Sequence, residues 1–255
     1  MRARMATLAA LVGVLALGAT ARAADPWDQA PPGFDDDNAI DTLNAIDHRS
    51  EQVHDVDAIG AIADEDWYIV SADARTSHEV VIDDLQGEVL PFSLERRDST
   101  CMSVLQFGNP LTWQDGAAGS YYVRMSGANC AATCSSASRY RIRLLDTTGS
   151  IPRFNNSATQ VTILVIHNQS SATVDGTLFF TNAAGVLLGA GEPFSLAPNA
   201  TAVLNTAAIQ SAAFLGASGS VSVTSTARYG RLTGKAVALE PATGFTFDTA
   251  LSPRP

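Results

Sequence analysis

Short runs of alternating apolar and polar residues, separated by turn-forming residues, constrain this chain more than any other feature of its sequence. In the run 139–144, Tyr140, Ile142 and Leu144 alternate with arginines. Successive side chains of a β-strand point to opposite faces, so this run predicts a strand with one buried and one solvated face. Comparable runs, bounded by Gly, Pro, Asn or Asp, lie at 67–70, 79–82, 102–107, 121–125, 160–166, 177–181, 202–205, 221–224 and 236–239. The sequence has no long amphipathic helical pattern and therefore predicts an all-β protein.

Two segments have a different pattern. Ile40, Leu43 and Ile46 recur at three-residue spacing, which predicts a short helical turn over 41–47. The alanine-rich segment 207–215 is compatible with either a short helix or a strand.

The start of the chain predicts export. Arg2 and Arg4 precede an apolar run over 6–19, and Ala21 and Ala23 stand at the positions that signal peptidase reads. The apolar run is too short to cross a bilayer as a helix. We therefore expect residues 1–23 to be a cleaved signal peptide and the mature protein to be secreted, into the periplasm or the extracellular medium.

A change in composition near residue 150 predicts two domains. Half of the 26 acidic residues lie between Asp25 and Asp66, whereas the region after the polar segment 146–150 is almost neutral. Several short strands within roughly 100 residues are typical of an immunoglobulin-like sandwich. We predict a linker or arm at 24–34, a jelly-roll-like β-sandwich at 35–147 and an immunoglobulin-like β-sandwich at 151–255. The formal net charge of −10 argues against nucleic acid or an anionic membrane surface as a partner.

The chain has three cysteines, so at most one intramolecular disulfide forms. Cys130 and Cys134 lie four residues apart in a loop-like segment, and we predict that they pair. Cys101 lies in a strand-like run and is compatible with a buried free thiol. The four histidines are scattered, so no thiol-catalytic or zinc-binding spacing is present.

Several short motifs in the first half of the chain occur in the order and spacing of a known family. They are Asp37-Asn38-Ala39, Asn44-Ala45-Ile46, Asp64-Glu65-Asp66-Trp67-Tyr68 and Gly119-Ser120-Tyr121-Tyr122-Val123-Arg124. Region 35–147 thus resembles the bacterial pre-peptidase C-terminal domain. The resemblance implies a jelly-roll-like sandwich that accompanies secreted enzymes. The C-terminal half resembles uncharacterised secreted bacterial immunoglobulin-like domains, a likeness that implies no activity.

The same resemblance implies a calcium site, because some members of that family bind Ca²⁺ between an acidic arm and the aspartates before the strand. Oxygen ligands suit Ca²⁺, and the candidates are Asp35, Asp37, Asn38, Asp64 and Asp66. The Glu-x-Glu-Pro-Asn pattern of the calcium-binding members is missing. The alternative is that these acids are solvated and that Asp66 caps a turn before the strand.

A second candidate site is an arginine face. Arg139, Arg141 and Arg143, joined by Arg124 from a neighbouring strand, are suited to bidentate contacts with an anionic polymer. Tyr122 is the candidate exposed member of an aromatic pair. The alternative is a solvated sheet face whose arginines pair with local acids.

The sequence contains none of the enzyme signatures that we sought. Segment 216–220 is not a nucleophile elbow, and neither a His-Glu-x-x-His motif nor a phosphate-binding glycine loop occurs. We therefore expect a non-catalytic module that binds an extracellular macromolecule or supports a secreted enzyme, with Ca²⁺ as the candidate cofactor. A purely structural spacer is the alternative, and a hydrolase with an unrecognised site is the third.

The cysteine arrangement predicts one free thiol in each exported molecule. Alkylation of unfolded, unreduced protein should label one cysteine, and prior reduction should raise the number to three by mass spectrometry. Three labels without reduction would show that Cys130 and Cys134 do not pair.

Overall fold

The computed structural model describes residues 44–55, 65–85, 92–127, 138–156, 159–209 and 217–254. These residues form seventeen β-strands, a 3-10 helix at Thr206–Ala208 and no α-helix. The strands are β1 (Glu51–Asp55), β2 (Glu65–Ala72), β3 (Thr76–Asp84), β4 (Phe92–Arg97), β5 (Val104–Phe107), β6 (Leu111–Asp115), β7 (Gly119–Gly127), β8 (Arg139–Asp146), β9 (Gly149–Asn155), β10 (Val161–Asn168), β11 (Val174–Asn182), β12 (Glu192–Leu196), β13 (Thr201–Asn205), β14 (Ser218–Ser225), β15 (Leu232–Glu240), β16 (Phe245–Ala250) and β17 (Ser252–Pro253). The all-β prediction is confirmed.

Strands β1 to β8 form a first sandwich of two four-stranded antiparallel sheets, in the orders β1-β8-β3-β6 and β2-β7-β4-β5. The alternation that predicted β8 directs Tyr140, Ile142 and Leu144 into the core between the sheets. Val80, Leu94 and Leu111 pack in the same cluster. Removing each such side chain from water contributes about 1.5–3 kcal/mol, which holds the sheets face to face.

Strands β9 to β17 form a second sandwich from a five-stranded and a four-stranded antiparallel sheet, ordered β12-β11-β14-β9-β17 and β13-β10-β15-β16. Its core includes Ile151, Leu164 and Val221, together with an edge-to-face pair of Phe154 and Phe180 whose ring centroids lie 5.2 Å apart. The chain is therefore two β-sandwiches in tandem. The signal peptide at 1–23 and the arm at 24–34 lie outside the described residues, and the predicted domain boundaries stay predictions.

Two local predictions differ from the structure, and a third was left open between helix and strand. Residues 44–47 form no helical turn: Ala45 forms a parallel bridge with Ile69, and the Ile46 amide donates to the Ile69 carbonyl at 3.0 Å. Pairing with β2 buries Ile46. Three-residue spacing alone does not distinguish such a paired, extended segment from a helix. Cys101 precedes β5 in a turn with φ 61° rather than in a strand. In segment 207–215, Ala207 and Ala208 belong to the 3-10 helix, while 210–216 lie outside the described residues.

Strand β3 connects the two sandwiches. Its side chains at Val80 and Ile82 enter the first core, whereas Ser77 and Glu79, on the opposite face, are 0% and 2% exposed because the second sandwich covers them. The predicted polar hinge is a two-residue link, Thr147 and Thr148, between β8 and β9. The Thr147 amide donates to the Ser77 carbonyl at 2.8 Å, and the Ser77 amide donates to Thr148 Oγ1 at 2.9 Å. The link is thus bonded to β3.

We call the contacts between the sandwiches around Ser77, Glu79 and Gln114 the joint. Glu79 accepts hydrogen bonds from Arg228 Nε at 2.9 Å and from the Tyr229 amide at 2.5 Å. The Ser225 amide donates to Ser77 Oγ at 3.2 Å. The amide of Gln114 also crosses the joint, accepting from Thr224 Oγ1 at 2.8 Å and donating to the Asp175 carbonyl at 3.3 Å. Each polar group has a partner on the other side, so the orientation of the sandwiches is specified by hydrogen bonds.

Replacement of Glu79 tests the joint. Glu79→Gln places a donor NH₂ against groups that are themselves donors, and we expect the free energy of unfolding to fall by about 1–3 kcal/mol in urea titrations. The matched control is Asp248→Asn, which alters an exposed acid that pairs with Lys235 and should change stability by less than about 0.5 kcal/mol. Equal effects of the two variants would contradict a structural role for the joint.

Candidate functional site

Four of the five predicted calcium ligands, Asp35, Asp37, Asn38 and Asp64, lie outside the described residues. The fifth, Asp66, lies within β2 opposite Met125 and is 1% exposed. It therefore does not cap a turn, and its carboxylate faces the interior of the sandwich. Within the described part of the chain, no three His, Cys, Asp or Glu side chains are grouped so that they could hold a metal ion.

Asp66 belongs to a buried polar cluster that joins the two sheets of the first sandwich. The Tyr140 hydroxyl donates to Asp66 Oδ2 at 2.5 Å and lies 2.5 Å from the Tyr68 hydroxyl. His54 Nδ1 lies 3.7 Å from Asp66 Oδ1, and His54 Nε2 lies 3.1 Å from Gln52 Oε1. Burial, reinforced by the Asp66 carboxylate, raises the pKa of Tyr140 well above its usual range. We call Gln52, His54, Asp66, Tyr68 and Tyr140 the Asp66 cluster.

A second buried cluster surrounds Asp115 near the other edge of the sandwich. Asp115 Oδ2 accepts from Trp113 Nε1 at 2.9 Å and lies 3.0 Å from His78 Nδ1. Arg96, which comes from the opposite sheet, stacks against Trp113 and Tyr121 at 5.1 and 5.0 Å from their ring centroids. Its guanidinium lies 4.0 Å from Asp115 Oδ1. We call His78, Arg96, Trp113, Asp115 and Tyr121 the Asp115 cluster.

No pattern in the sequence indicated this cluster. His78 and Asp115 lie 37 residues apart on neighbouring strands, and their proximity depends on the pairing of β3 with β6. The one local signal is the spacing of Trp113 and Asp115, since residues two apart on a strand share a face.

The His78–Asp115 pair has the geometry that orients a general base, because a carboxylate at Nδ1 leaves the Nε2 lone pair available. A nucleophilic mechanism also needs a hydroxyl or thiol in hydrogen-bonding contact with that nitrogen. No described residue makes that contact. Asp115 instead accepts from Trp113 of its own strand and lies near Arg96, and the Arg96 contact links the two sheets.

The predicted arginine face is divided between the two sheets. Arg139, Arg141 and Arg143 lie on β8, whereas Arg124 lies on β7. Although β7 and β8 are consecutive, they belong to different sheets, so Arg124 does not come from a strand that neighbours β8.

The arginines of β8 lie beside acids. Asp83 Oδ2 lies 3.1 Å from Arg141 and 2.6 Å from Arg143, and Glu51 lies 3.8 Å from Arg141. Exposed Arg139 pairs in register with Asp55. The local acids thus balance much of the positive charge of this face.

Arg124 and Tyr122 lie on the outer face of the other sheet. Arg124 pairs with Glu65 and, at 3.3 Å, with Glu95, and its guanidinium lies 5.6 Å from the Trp67 ring centroid. Tyr122 packs, half-buried, against Trp67 and Cys101. The two residues therefore contribute to a packed surface layer.

Cys101 is buried, and burial raises the pKa of its thiol. This suppresses the thiolate and the reactivity that depends on it. Cys130 and Cys134 lie outside the described residues, so their pairing stays a prediction.

Comparison with known proteins gives little further information. No family model matches the chain, and no curated protein matches it. One similar solved structure is the pre-peptidase C-terminal domain of a collagenase from Bacillus anthracis, which is 11% identical and covers 40% of this chain and 92% of its own, with a TM-score of 0.32. This likeness is too slight to carry an argument, so the family stays the prediction made from the motifs. Among the described residues, no helix is long and apolar enough to cross a membrane.

Removal of the Tyr140 hydroxyl tests the Asp66 cluster. Tyr140→Phe deletes the donor to a buried carboxylate, and we expect the free energy of unfolding to fall by about 1–3 kcal/mol in urea titrations. Tyr229→Phe is the matched control, because its hydroxyl accepts one exposed hydrogen bond, from Arg49. A loss no larger than that of the control would contradict the structural role of the cluster.

The raised pKa of Tyr140 also predicts alkaline instability. In the unfolded chain Tyr140 ionises near its usual pKa of about 10, whereas in the native protein it stays neutral well above that value. The native state therefore retains a proton that the unfolded state releases, and stability falls as the pH rises above about 10. Between about pH 8 and 12, the free energy of unfolding should decline less steeply in Tyr140→Phe than in the parent chain. Identical slopes would contradict the raised pKa of Tyr140.

Proposed function

We propose that the protein is a secreted, non-catalytic accessory module that binds an extracellular macromolecule or supports a secreted enzyme. The observation that carries this proposal is the joint. Glu79, buried between the sandwiches, accepts from both Arg228 and the Tyr229 amide. The two-residue link, which is hydrogen-bonded to β3, also restricts the relative orientation of the sandwiches. A binding surface built from both sandwiches requires such a fixed orientation.

The contacts of the buried ionisable side chains support the non-catalytic part of the proposal. His54 approaches Asp66 across the first core, and His78 approaches Asp115 close to Arg96 of the opposite sheet. The first pair connects the two sheets of the sandwich, whereas the second lies within one sheet and reaches the other through Arg96. Their replacement would therefore be expected to alter stability before it altered any activity.

A structural spacer is the second candidate function. It is favoured by the acids that accompany the predicted arginine face, since Asp83 contacts both Arg141 and Arg143. These half-buried ion pairs leave less positive charge for an anionic ligand.

Retention on immobilised ligands distinguishes the two candidates. The full mature chain is applied to collagen, to polysaccharides and to cell-wall fractions at about 0.15 M salt, an ionic strength that screens nonspecific charge contacts. The accessory module predicts retention on one class, weakened in Glu79→Gln and retained in Asp248→Asn. Absence of retention on every matrix would favour the spacer, and hydrolysis of a matrix by the pure protein would overturn the non-catalytic assignment.

Calcium binding is a proposal that the structure makes easier to test. If the acidic arm binds Ca²⁺ in the native state alone, saturation at about 100 times Kd adds about 2.7 kcal/mol. This corresponds to a rise in Tm of roughly 5–10 °C for a chain of this size, measured by differential scanning fluorimetry in Ca²⁺ against EDTA.

The variants for this test are Asp37→Asn and Asp64→Asn. Asp66 is unsuitable, because its replacement also disturbs the hydrogen bond from Tyr140. Both variants should lose the calcium-dependent rise in Tm, and the control Asp248→Asn should keep it. An unchanged Tm in the parent chain would overturn the calcium site.

A further inference from the structure

A cavity of about 300 Å³ opens at the end of the first sandwich, and Arg254, which follows β17 of the second sandwich, lines part of it. The segment 46–48, the β2–β3 turn, the end of β8 and Arg254 line it. Its volume lies at the lower end of the range for small-molecule sites. The cavity therefore has room for a small molecule or a single side chain.

One wall of the cavity is formed by His78, whose side chain is 6% exposed. His78 Nδ1 faces Asp115 at 3.0 Å, so Nε2 is the ring nitrogen left for the cavity. Since Asp115 favours the proton on Nδ1, Nε2 of the neutral ring carries a lone pair. No described residue donates a hydrogen bond to it, so this nitrogen can accept one from an occupant of the cavity.

The rim of the cavity is acidic. Asp47, Asp73 and Asp146 line it. The one guanidinium of the lining, that of Arg254, lies 3.1 Å from Asp73 and 4.0 Å from Asp146. Three carboxylates against one guanidinium leave an excess of negative charge and of hydrogen-bond acceptors.

The second histidine of the wall adds no compensating charge. His48 Nδ1 accepts a hydrogen bond from the Asp146 amide at 2.8 Å, which places the proton of the neutral ring on Nε2. Burial lowers the pKa of His48, although Asp146 opposes this effect. The ring is therefore neutral near pH 7.

We propose that this cavity binds a primary ammonium group on a short alkyl chain. The ammonium is a compact cation with three donors and no acceptor, which matches the acidic rim and the free acceptor at His78. Ile46 and Leu144 provide apolar lining for the alkyl chain. The site goes beyond the proposed accessory role and does not depend on it.

The probes are n-butylamine, the neutral 1-butanol of the same shape, and butyrate. Each is titrated into the ¹⁵N-labelled full chain while amide NMR shifts are recorded. We expect saturable shifts with butylamine at 46–48 and 71–78, with Kd on the order of 1 mM for so few atoms. Neither 1-butanol nor butyrate should produce them. Equal shifts with 1-butanol, or no saturation with butylamine, would overturn the proposal.

Surface variants test the role of charge without disturbing the buried His78. Asp47→Asn and Asp73→Asn should each weaken butylamine binding by roughly two- to fivefold, the effect of a partly solvated charge. Arg254→Ala removes the competing cation and should tighten binding by a similar factor. Asp248→Asn, the same substitution far from the cavity, should leave Kd unchanged. If all four variants bind like the parent, the acidic rim does not recognise the ligand and the proposal fails.

Two sources can supply the ammonium group: a free alkyl amine, or the amino terminus of a peptide. Tighter binding of 1,4-diaminobutane than of a short peptide with a free terminus identifies the free amine. The reverse order, with loss of binding when that peptide is acetylated, identifies the peptide terminus. Either order supports the site, and binding of the acetylated peptide equal to that of the free peptide contradicts it.

Discussion

Strand β3 is buried on both faces, and the arrangement of the whole chain depends on it. Val80 and Ile82 enter the core of the first sandwich, while Ser77 and Glu79 meet the second. A carboxylate in this position is costly to desolvate unless charged or polar donors surround it. Arg228 and the Tyr229 amide supply those donors, so the contact that compensates the buried charge also orients the two sandwiches.

The first sandwich follows the same principle between its sheets. Its apolar core carries two polar clusters, one around Asp66 and one around Asp115. Both clusters take side chains from the two sheets, and Arg96 and Tyr140 each contact an aspartate of the opposite sheet. Directional contacts of this kind restrict how the sheets slide past one another. Hydrophobic burial alone restricts such sliding less, because it is non-directional. The Asp115 cluster also leaves His78 Nε2 without a donor at the edge of a cavity, the feature on which the proposed ammonium site is based.

The candidate sites were less predictable than the fold. The alternation at 139–144 correctly indicated that Tyr140 is buried, but it did not indicate that Asp66 would be its partner, 74 residues away. Arg124 and Arg141 look alike in the sequence, yet the crossing of the chain between β7 and β8 places them in different sheets. Ile46 was predicted in a helical turn because three-residue spacing over so short a segment does not distinguish a helix from an extended chain that pairs with β2.

The amino-acid pattern by itself determined the all-β class, the tandem sandwiches and the buried face of strands such as β8, because side-chain alternation and turn residues act over a few neighbouring positions. The tertiary structure alone decided which polar residues meet. His78 and Asp115, Glu79 and Arg228, and Asp73 and Arg254 are each distant in sequence and come together through strand pairing or sandwich packing. Such contacts depend on where whole sheets lie, and no local pattern encodes that position.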